Sequence, residues 1–287
     1  MNSVRGLVTD TIGFSNVDGP GNRFVVFLQG CNFDCIACHN PYTINVCNDC
    51  GDCLATCSSG ALTLGDDGHV AWNQEECEGT DTCLAACAWD ATPKARTRSV
   101  DELLADIRRA APFLSGITVS GGEATQQAEF VHALFSAVKA DRALHHLTCF
   151  VDSNGAAPRE VWARLAPVMD GAMIDLKCLD ADIHRTMTGQ PNDQVLATIR
   201  YLDAVGKLYE VRLLLIPGVN DDEELLRVTA DWLADLNPLL RLKLIGFRPH
   251  GVRPNERELV QPTAEHMTRY RDVFAHRAQF NVCVVSP

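Results

Sequence analysis

Cys31, Cys35 and Cys38 stand close together in the spacing C-x3-C-x2-C, followed at once by His39, Asn40 and Pro41. Converging thiolates suit a soft metal, yet structural zinc and the common iron–sulfur sites take four protein ligands. His39 is too close in sequence to Cys38 to complete a tetrahedron easily, and the paired C-x2-C units of a zinc site are missing. The spacing predicts a 4Fe–4S cluster held by three thiolates, with one iron left open. An open position is what separates a chemically active metal from a structural one.

A second set of cysteines lies just downstream. Cys47, Cys50, Cys53 and Cys57 have the C-x2-C-x2-C-x3-C spacing of bacterial ferredoxins, without the usual proline after the last one. Cys77, Cys83 and Cys87 begin to repeat the pattern, but Thr80 stands where a further cysteine is due. In two-cluster ferredoxins the fourth cysteine of each run binds the other cluster. That rule predicts a complete 4Fe–4S set of Cys47, Cys50, Cys53 and Cys87. It leaves Cys57, Cys77 and Cys83 one ligand short: a 3Fe cluster, a 4Fe cluster completed by Asp81 or water, or an empty site. The insert could relay electrons or only build a docking surface.

Composition marks this stretch as separate. Between Cys47 and Thr92 there are nine acidic residues, no Lys or Arg, and seven of the chain's thirteen cysteines. The rest of the 287-residue chain is nearly balanced, with 28 acidic against 25 basic residues. The expected division is 1–45, 46–93 and 94–287. A net charge of −12 argues against general nucleic-acid binding. No apolar run approaches a membrane span, and the N-terminal MNSVRGLVTDTIGF lacks the pattern of a secretion leader. The expected location is the cytoplasm, where cysteines stay thiols or metal ligands. Cys149, Cys178 and Cys283, in or beside apolar strands, are expected to be inert core thiols.

The elements that must position these groups alternate. FVVFLQG reads as a buried strand, and Ser99 with Glu102 reads as a capping box opening a helix. Strand and helix signals then take turns to the C-terminus, giving about six βα units. The predicted fold is α/β, a partial (β/α)6 TIM-like barrel with a ferredoxin-like cysteine-rich insert. In such folds the site lies at the carboxyl ends of the strands. The polar sequences SGGE, DSNG, DLK, IPGVND and FRPHG fall there, as does the first cysteine loop.

The stretch Val17–Pro41 resembles the activating enzymes of glycyl radical enzymes, within the radical S-adenosylmethionine (SAM) enzymes, in its DGPG turn, its FxQGC approach and its CHNP exit. The layout, with a two-cluster insert followed by TVSGGEAT, most resembles the YjjW-type activases. The resemblance covers essentially the whole chain. It implies that SAM chelates the open iron, and that reductive cleavage gives a 5′-deoxyadenosyl radical. That radical would abstract a hydrogen atom from a backbone glycine of a partner glycyl radical enzyme. It also implies an electron donor such as flavodoxin or ferredoxin.

The same resemblance assigns roles. Asn40 and the turn of Gly121, Gly122 and Glu123 would contact SAM. Asp152, Ser153, Asp175 and the carbonyl of Met173 would hold a monovalent cation beside it. Lys177 and Arg212 would balance the SAM carboxylate. Asp18 would lie near the target glycine. Family members place His directly after the Phe of FRPHG, whereas here Arg248 follows Phe247 and His250 comes two later; the SAM contact is carried to either one. Read without the resemblance, the glycines are a plain turn and the carboxylates are partners in an Asp152–Lys177 or Asp175–Arg212 ion pair. The other functional readings are a radical SAM enzyme acting on a small molecule or other peptide, and an iron–sulfur electron carrier.

Overall fold

The computed structural model describes residues 3–255 and 258–287. The first two residues of the stretch read for a leader lie outside them. In chain order the elements are β1 (Arg5–Ser15), β2 (Arg23–Leu28), β3 (Leu62–Leu64), β4 (Val70–Trp72), α1 (Thr82–Ala85), β5 (Arg96–Ser99), α2 (Val100–Ala110), β6 (Gly116–Gly121) and α3 (Ala128–Ala140). Then come β7 (Thr148–Ser153), α4 (Arg159–Leu165), β8 (Gly171–Asp175), α5 (Ala181–Thr188), α6 (Asp193–Ala204), β9 (Leu208–Leu215), α7 (Glu223–Leu236), β10 (Arg241–Gly246), α8 (Ala264–Ala275) and β11 (Asn281–Val285).

Among the described residues nine strands form one sheet, ordered β11-β10-β9-β8-β7-β6-β2-β1-β5. From β2 through β11 the pairings are all parallel, as helical crossovers require. The order runs from β11 to β5 without returning on itself, so the barrel is partial. Helices α2, α3, α4, α6, α7 and α8 each bury an apolar face in the core they share with the sheet. On α2 that face is Val100, Leu103, Leu104 and Ile107.

Two strands of this sheet are absent from the expectation, as are β3, β4 and α1 of the 46–93 segment. β1 runs antiparallel to β2, and β5 pairs antiparallel with Arg5–Val8 of β1. β1 gives no clean period-2 signal because Ile12 and Phe14 face outward. β5, Arg-Thr-Arg-Ser, is a strand only by virtue of its partner. Helix α5 was also not expected. It is eight residues long, is capped by Asp180 through the N–H groups of Asp182 and Ile183, and ends at Gly189 with φ +76°.

At the amino ends of the strands a charge is buried. Arg23 is fully enclosed, and its guanidinium donates to Thr118 Oγ1, Thr148 Oγ1 and the carbonyls of Pro20, Ile117 and Thr148. Its carbon centre lies 4.6 Å from the Phe150 ring centroid. A buried cation is tolerable only with such full bonding.

The 46–93 segment has its own small core of Cys53, Leu62 and Cys83, packed by Leu54, Val70 and Trp72. Its two ends meet. Asn45 bridges to Ala91, its N–H donates to Asp90 O at 3.1 Å, and its Nδ2 donates to Trp89 O at 2.9 Å.

The capping box at α2 is present: Glu102 N donates to Ser99 Oγ at 3.2 Å and Ser99 N to Glu102 Oε2 at 2.5 Å. Ser99→Ala is expected to lower stability by about 1 kcal/mol in urea unfolding, with Ser99→Asp recovering most of it. An unchanged midpoint for Ser99→Ala would show that the cap is not needed.

Candidate active site

Parallel register levels the strand ends. Leu28 of β2 pairs with Gly121 of β6, Val119 with Val151 of β7, Ser153 with Ile174 of β8, and Asp175 with Arg212 of β9. The segments leaving β2, β6, β7 and β8 therefore emerge at one level and enclose a cavity of about 270 Å³. Cys31, Cys35, Cys38 and Asn40 line one side of it. Gly121, Gly122 and Glu123 line another, and Asp152, Ser153, Asp175 and Lys177 complete the wall.

The cysteine loop is pinned by its backbone. Gly30 N donates to Thr43 O and Cys31 N to Ile44 O, each at 2.9 Å. Asp34 N and Ile36 N donate to Thr188 O and Met187 O at the end of α5, also at 2.9 Å. Asn154 Nδ2 donates to Asn32 Oδ1 at 2.8 Å. His39 lines the same cavity, and its Nε2 lies 3.0 Å from Arg248 O, a contact that selects the ring tautomer.

Among the described residues no three His, Cys, Asp or Glu side chains gather tightly enough to hold a single metal ion. The three thiols instead line an open cavity, and an all-thiol donor set around a larger void suits a multi-iron cluster. Burial pushes the Cys31 thiol up to about 12 and the Cys35 thiol up to about 11. The Lys177 ammonium pulls Cys35 and Cys38 back down, so it favours the thiolate form that binds metal.

The glycines have a packing reason as well as any ligand reason. Gly121 has φ +121°, and a Cβ there would come within 2.1 Å of Leu28 N. A Cβ on Gly122 would lie 2.3 Å from Gly30 O and 2.6 Å from Thr43 O. The turn is pressed against the backbone of β2 and the cysteine loop, and only glycine fits.

Glu123 is 1% exposed. Its carboxylate accepts from Thr125 N, Thr125 Oγ1, Ser153 Oγ and Asn154 N, at 2.5–2.9 Å. Burial pushes its pKa up and these four donors oppose the rise. The residue ties the end of β6 to the end of β7.

The ion pairs differ from both sequence alternatives. Asp152 pairs with Arg212 at 2.9 Å, and Asp175 pairs with Lys177 at 2.7 Å. Arg212, in register with Asp175 on β8, reaches across that strand to Asp152 on β7, whereas Lys177 is two residues from Asp175 along the chain. Arg212 also donates to Glu210 Oε1 at 2.9 Å and approaches Met173 Sδ at 2.8 Å. Glu210 in turn accepts from Arg241 at 3.0 Å.

Five expected site residues, Asp18, Met173, Arg212, Arg248 and His250, lie outside the cavity wall. Arg212 stands behind Asp152. His250 is exposed, and the neighbouring Arg248 side chain donates to Ser286 O. Asp18 sits in the turn between β1 and β2, where its carboxylate accepts from Ser15 Oγ at 2.5 Å and its carbonyl from Thr118 Oγ1 at 2.7 Å. Met187 and Thr188 line the cavity without having been expected there, because α5 itself was not read from the sequence.

The insert's thiols sort across the two runs. Cys47 lies within electrostatic reach of Cys50 and Cys87, and Cys53 of Cys47, Cys83 and Cys50. Cys57, Cys77 and Cys83 share a separate small cavity with Thr80, Asp81 and Lys94. Cys149 and Cys178 are buried, while Cys283 is half-buried.

Residues 25–228 match the model of the radical SAM superfamily. The chain is 32% identical to the pyruvate formate-lyase-activating enzyme of Streptococcus mutans over 86% of its own length and 80% of that protein. It is 30% identical to the isethionate sulfite-lyase activating enzyme of Desulfovibrio desulfuricans, over 87% and 85%. Among solved structures, QueE from Escherichia coli shares the fold with a TM-score of 0.55 at 12% identity, over 99% of this chain and 95% of that one. With the cysteine loop and the levelled strand ends already described, these matches place the chain in the radical SAM superfamily, among the activating enzymes of glycyl radical enzymes.

Proposed function

We propose that this chain activates a glycyl radical enzyme through the cavity at the ends of β2, β6, β7 and β8. One observation carries the reading: the three thiols of the cysteine loop and the polar ends of three further strands meet on one cavity. A 4Fe–4S cluster on Cys31, Cys35 and Cys38, with SAM on its open iron, supplies when reduced a 5′-deoxyadenosyl radical able to take a hydrogen atom from a partner's glycine. The chain's own task is to hold, orient and dry that group. Asn40, Gly121, Gly122, Glu123 and Ser153 shape the SAM-facing wall, with Glu123 keeping it rigid. Lys177 offsets negative charge beside Cys35 and Cys38. Arg212 acts from behind, by neutralising Asp152. The exposed positions of His250 and the Arg248 side chain do not support a SAM contact for either. Asp18, close to Thr118 in the DGPG turn, is our choice for the side facing the target glycine.

The relatives reported above are named for two different lyases, so the shared activity is activation and not one partner's reaction. We read residues 46–93 as a ferredoxin-like module between barrel segments 1–45 and 94–287. Its thiols would hold one 4Fe–4S cluster on Cys47, Cys50, Cys53 and Cys87, and a second, incomplete one on Cys57, Cys77 and Cys83. It would pass electrons inward from a donor such as flavodoxin or ferredoxin. No described helix is long and apolar enough to cross a membrane; the thiol clusters fit a reducing cytoplasm. Asp152 and Asp175 already have cationic partners, so a monovalent cation beside SAM would have to share them.

Three outcomes are expected. Cys35→Ala in anaerobically reconstituted protein abolishes SAM cleavage but keeps the iron of the insert. With the partner enzyme, the reduced wild-type protein and SAM give a glycine-centred doublet in electron paramagnetic resonance; cleavage without that doublet on any glycyl radical enzyme would favour a small-molecule substrate instead. Arg212→Ala leaves Asp152 buried without its cationic partner, while Glu210 keeps Arg241, and costs about 3–5 kcal/mol in unfolding measurements. A loss below about 1 kcal/mol would mean that water or a cation replaces the guanidinium.

A further inference from the structure

We propose that Arg253 is a positioning residue for the radical-forming site: it makes the shape of the cysteine loop depend on how the 46–93 segment is seated. The inference rests on the reading that Cys31, Cys35 and Cys38 hold the SAM-binding cluster, and goes beyond it. The Arg253 guanidinium meets partners from two distant parts of the chain. One nitrogen donates to Asp90 Oδ2 at 2.6 Å, where the segment returns to the barrel. Another donates to Asp34 Oδ1 and, at 3.3 Å, to the Cys35 carbonyl inside the cysteine loop. A guanidinium is a rigid planar fork, so its orientation at Cys35 is set by Asp90 and Asp34 together.

The cysteine loop is held on two sides. Its N–H groups at Asp34 and Ile36 donate to Thr188 O and Met187 O of α5. Its carbonyls at Cys35 and Ile36 are taken by the segment after β10, the first by Arg253 and the second by Asn255 Nδ2 at 3.0 Å. Gly251 of that segment, with φ +79°, lies so close to the loop that a Cβ would come within 2.6 Å of His39 O. Phe247 is buried with Ala37 and Met187 in a small apolar cluster, and Ile36 and Val252 pack against it. Apolar packing of this kind is non-directional. The turn at Cys35 takes its direction from the polar contacts. Arg253 also lies within electrostatic reach of Cys38 and favours its thiolate, the form that binds metal.

Asp90 is aimed at Arg253 by its own backbone. It has φ +47°, in the left-handed region that Asp enters more readily than most residues. Its carbonyl accepts from Asn45 N at 3.1 Å, and the preceding Trp89 O accepts from Asn45 Nδ2 at 2.9 Å. Asp90 is thereby tied to the place where the chain leaves for the segment as well as to where it returns. If those ends shift, a guanidinium that follows Asp90 leaves the Cys35 carbonyl.

The test first reads the full chain free of metal, by amide hydrogen exchange. In Arg253→Gln the amides of Asp34 and Ile36 are expected to exchange about tenfold faster, with those of β6 to β9 unchanged. Asp90→Gly suits the same φ and removes only the carboxylate; it is expected to shift the same two amides in the same direction, and the double variant to add nothing to Arg253→Gln. After anaerobic reconstitution and reduction, the SAM concentration that half-saturates the change in the electron paramagnetic resonance spectrum is expected to rise about tenfold in both single variants, with iron content unchanged. Unaltered exchange at Asp34 and Ile36 in either variant overturns the proposal. So do effects that add in the double variant, or faster exchange spread through β6 to β9, which would mean general loosening. A wild-type spectrum that does not respond to SAM defeats the reading of the cysteine loop itself, whereas the exchange measurement, made without metal, still decides the role of Arg253.

Discussion

The site depends on one constraint: seven strands lie parallel in a register that brings their carboxyl ends to the same height. A parallel sheet cannot be made by hairpins, so each return passes through a helix and every connection of the same sense ends on the same side. Chemistry-bearing residues far apart in sequence, Cys31, Gly121, Asp152 and Asp175, are neighbours for this reason alone. Register by itself would leave the loops free to splay. Glu123 prevents that at the β6–β7 junction, where four donors from two loops converge on one enclosed carboxylate. Such a carboxylate is costly to bury and is stable only while every donor stays in place, which makes the local geometry all-or-none.

Charge is handled in a ladder that crosses the sheet. Asp152 on β7, Arg212 and Glu210 on β9, and Arg241 on β10 alternate in sign, with Arg212 at the centre. Burial alone would lower the Arg212 pKa, but Asp152 and the neighbouring carboxylates hold it above its ordinary value. Lys177 follows the same pattern beside Asp175 and the thiols of Cys35 and Cys38. Each cation at this end of the sheet is thus held by a carboxylate of its own, which fixes the side chains of Asp152, Asp175, Lys177 and Arg212 in place.

Much of this was legible in the sequence, and what escaped has a common cause. Periodicity identified α3 and the interiors of β6 to β10, because one apolar face recurs against one core. The polar strand ends were visible as interruptions of apolar runs. β1, β5 and α5 were not, since β5 is polar throughout, α5 is short, and each is held by neighbours instead of by its own pattern. The same limit applies to the ion pairs. Both sequence alternatives joined the right four residues in the wrong couples: Arg212 is in register with Asp175 on β8, yet its guanidinium reaches past that strand to Asp152 on β7, a side-chain direction that no reading of separate segments supplies. The glycines of SGGE looked like room for a ligand, and the strand packed behind them is invisible to any reading of one segment.

The joint between the 46–93 segment and the cysteine loop is held from two sides. Arg253, in the segment after β10, donates to Asp34 and to the Cys35 carbonyl of the cysteine loop, and to Asp90 at the end of the insert at 2.6 Å. One guanidinium therefore spans the loop that holds the first cluster's thiols and the strap on which the insert returns. Asn45 closes the same joint from the other side, through Trp89 O and Asp90 O, while Cys31 N is bonded to the adjacent Ile44. Movement of the insert as a body would have to break a planar, multiply bonded guanidinium contact and a backbone bridge together. A displacement at Asp90 would then be transmitted through one guanidinium to the backbone of Cys35.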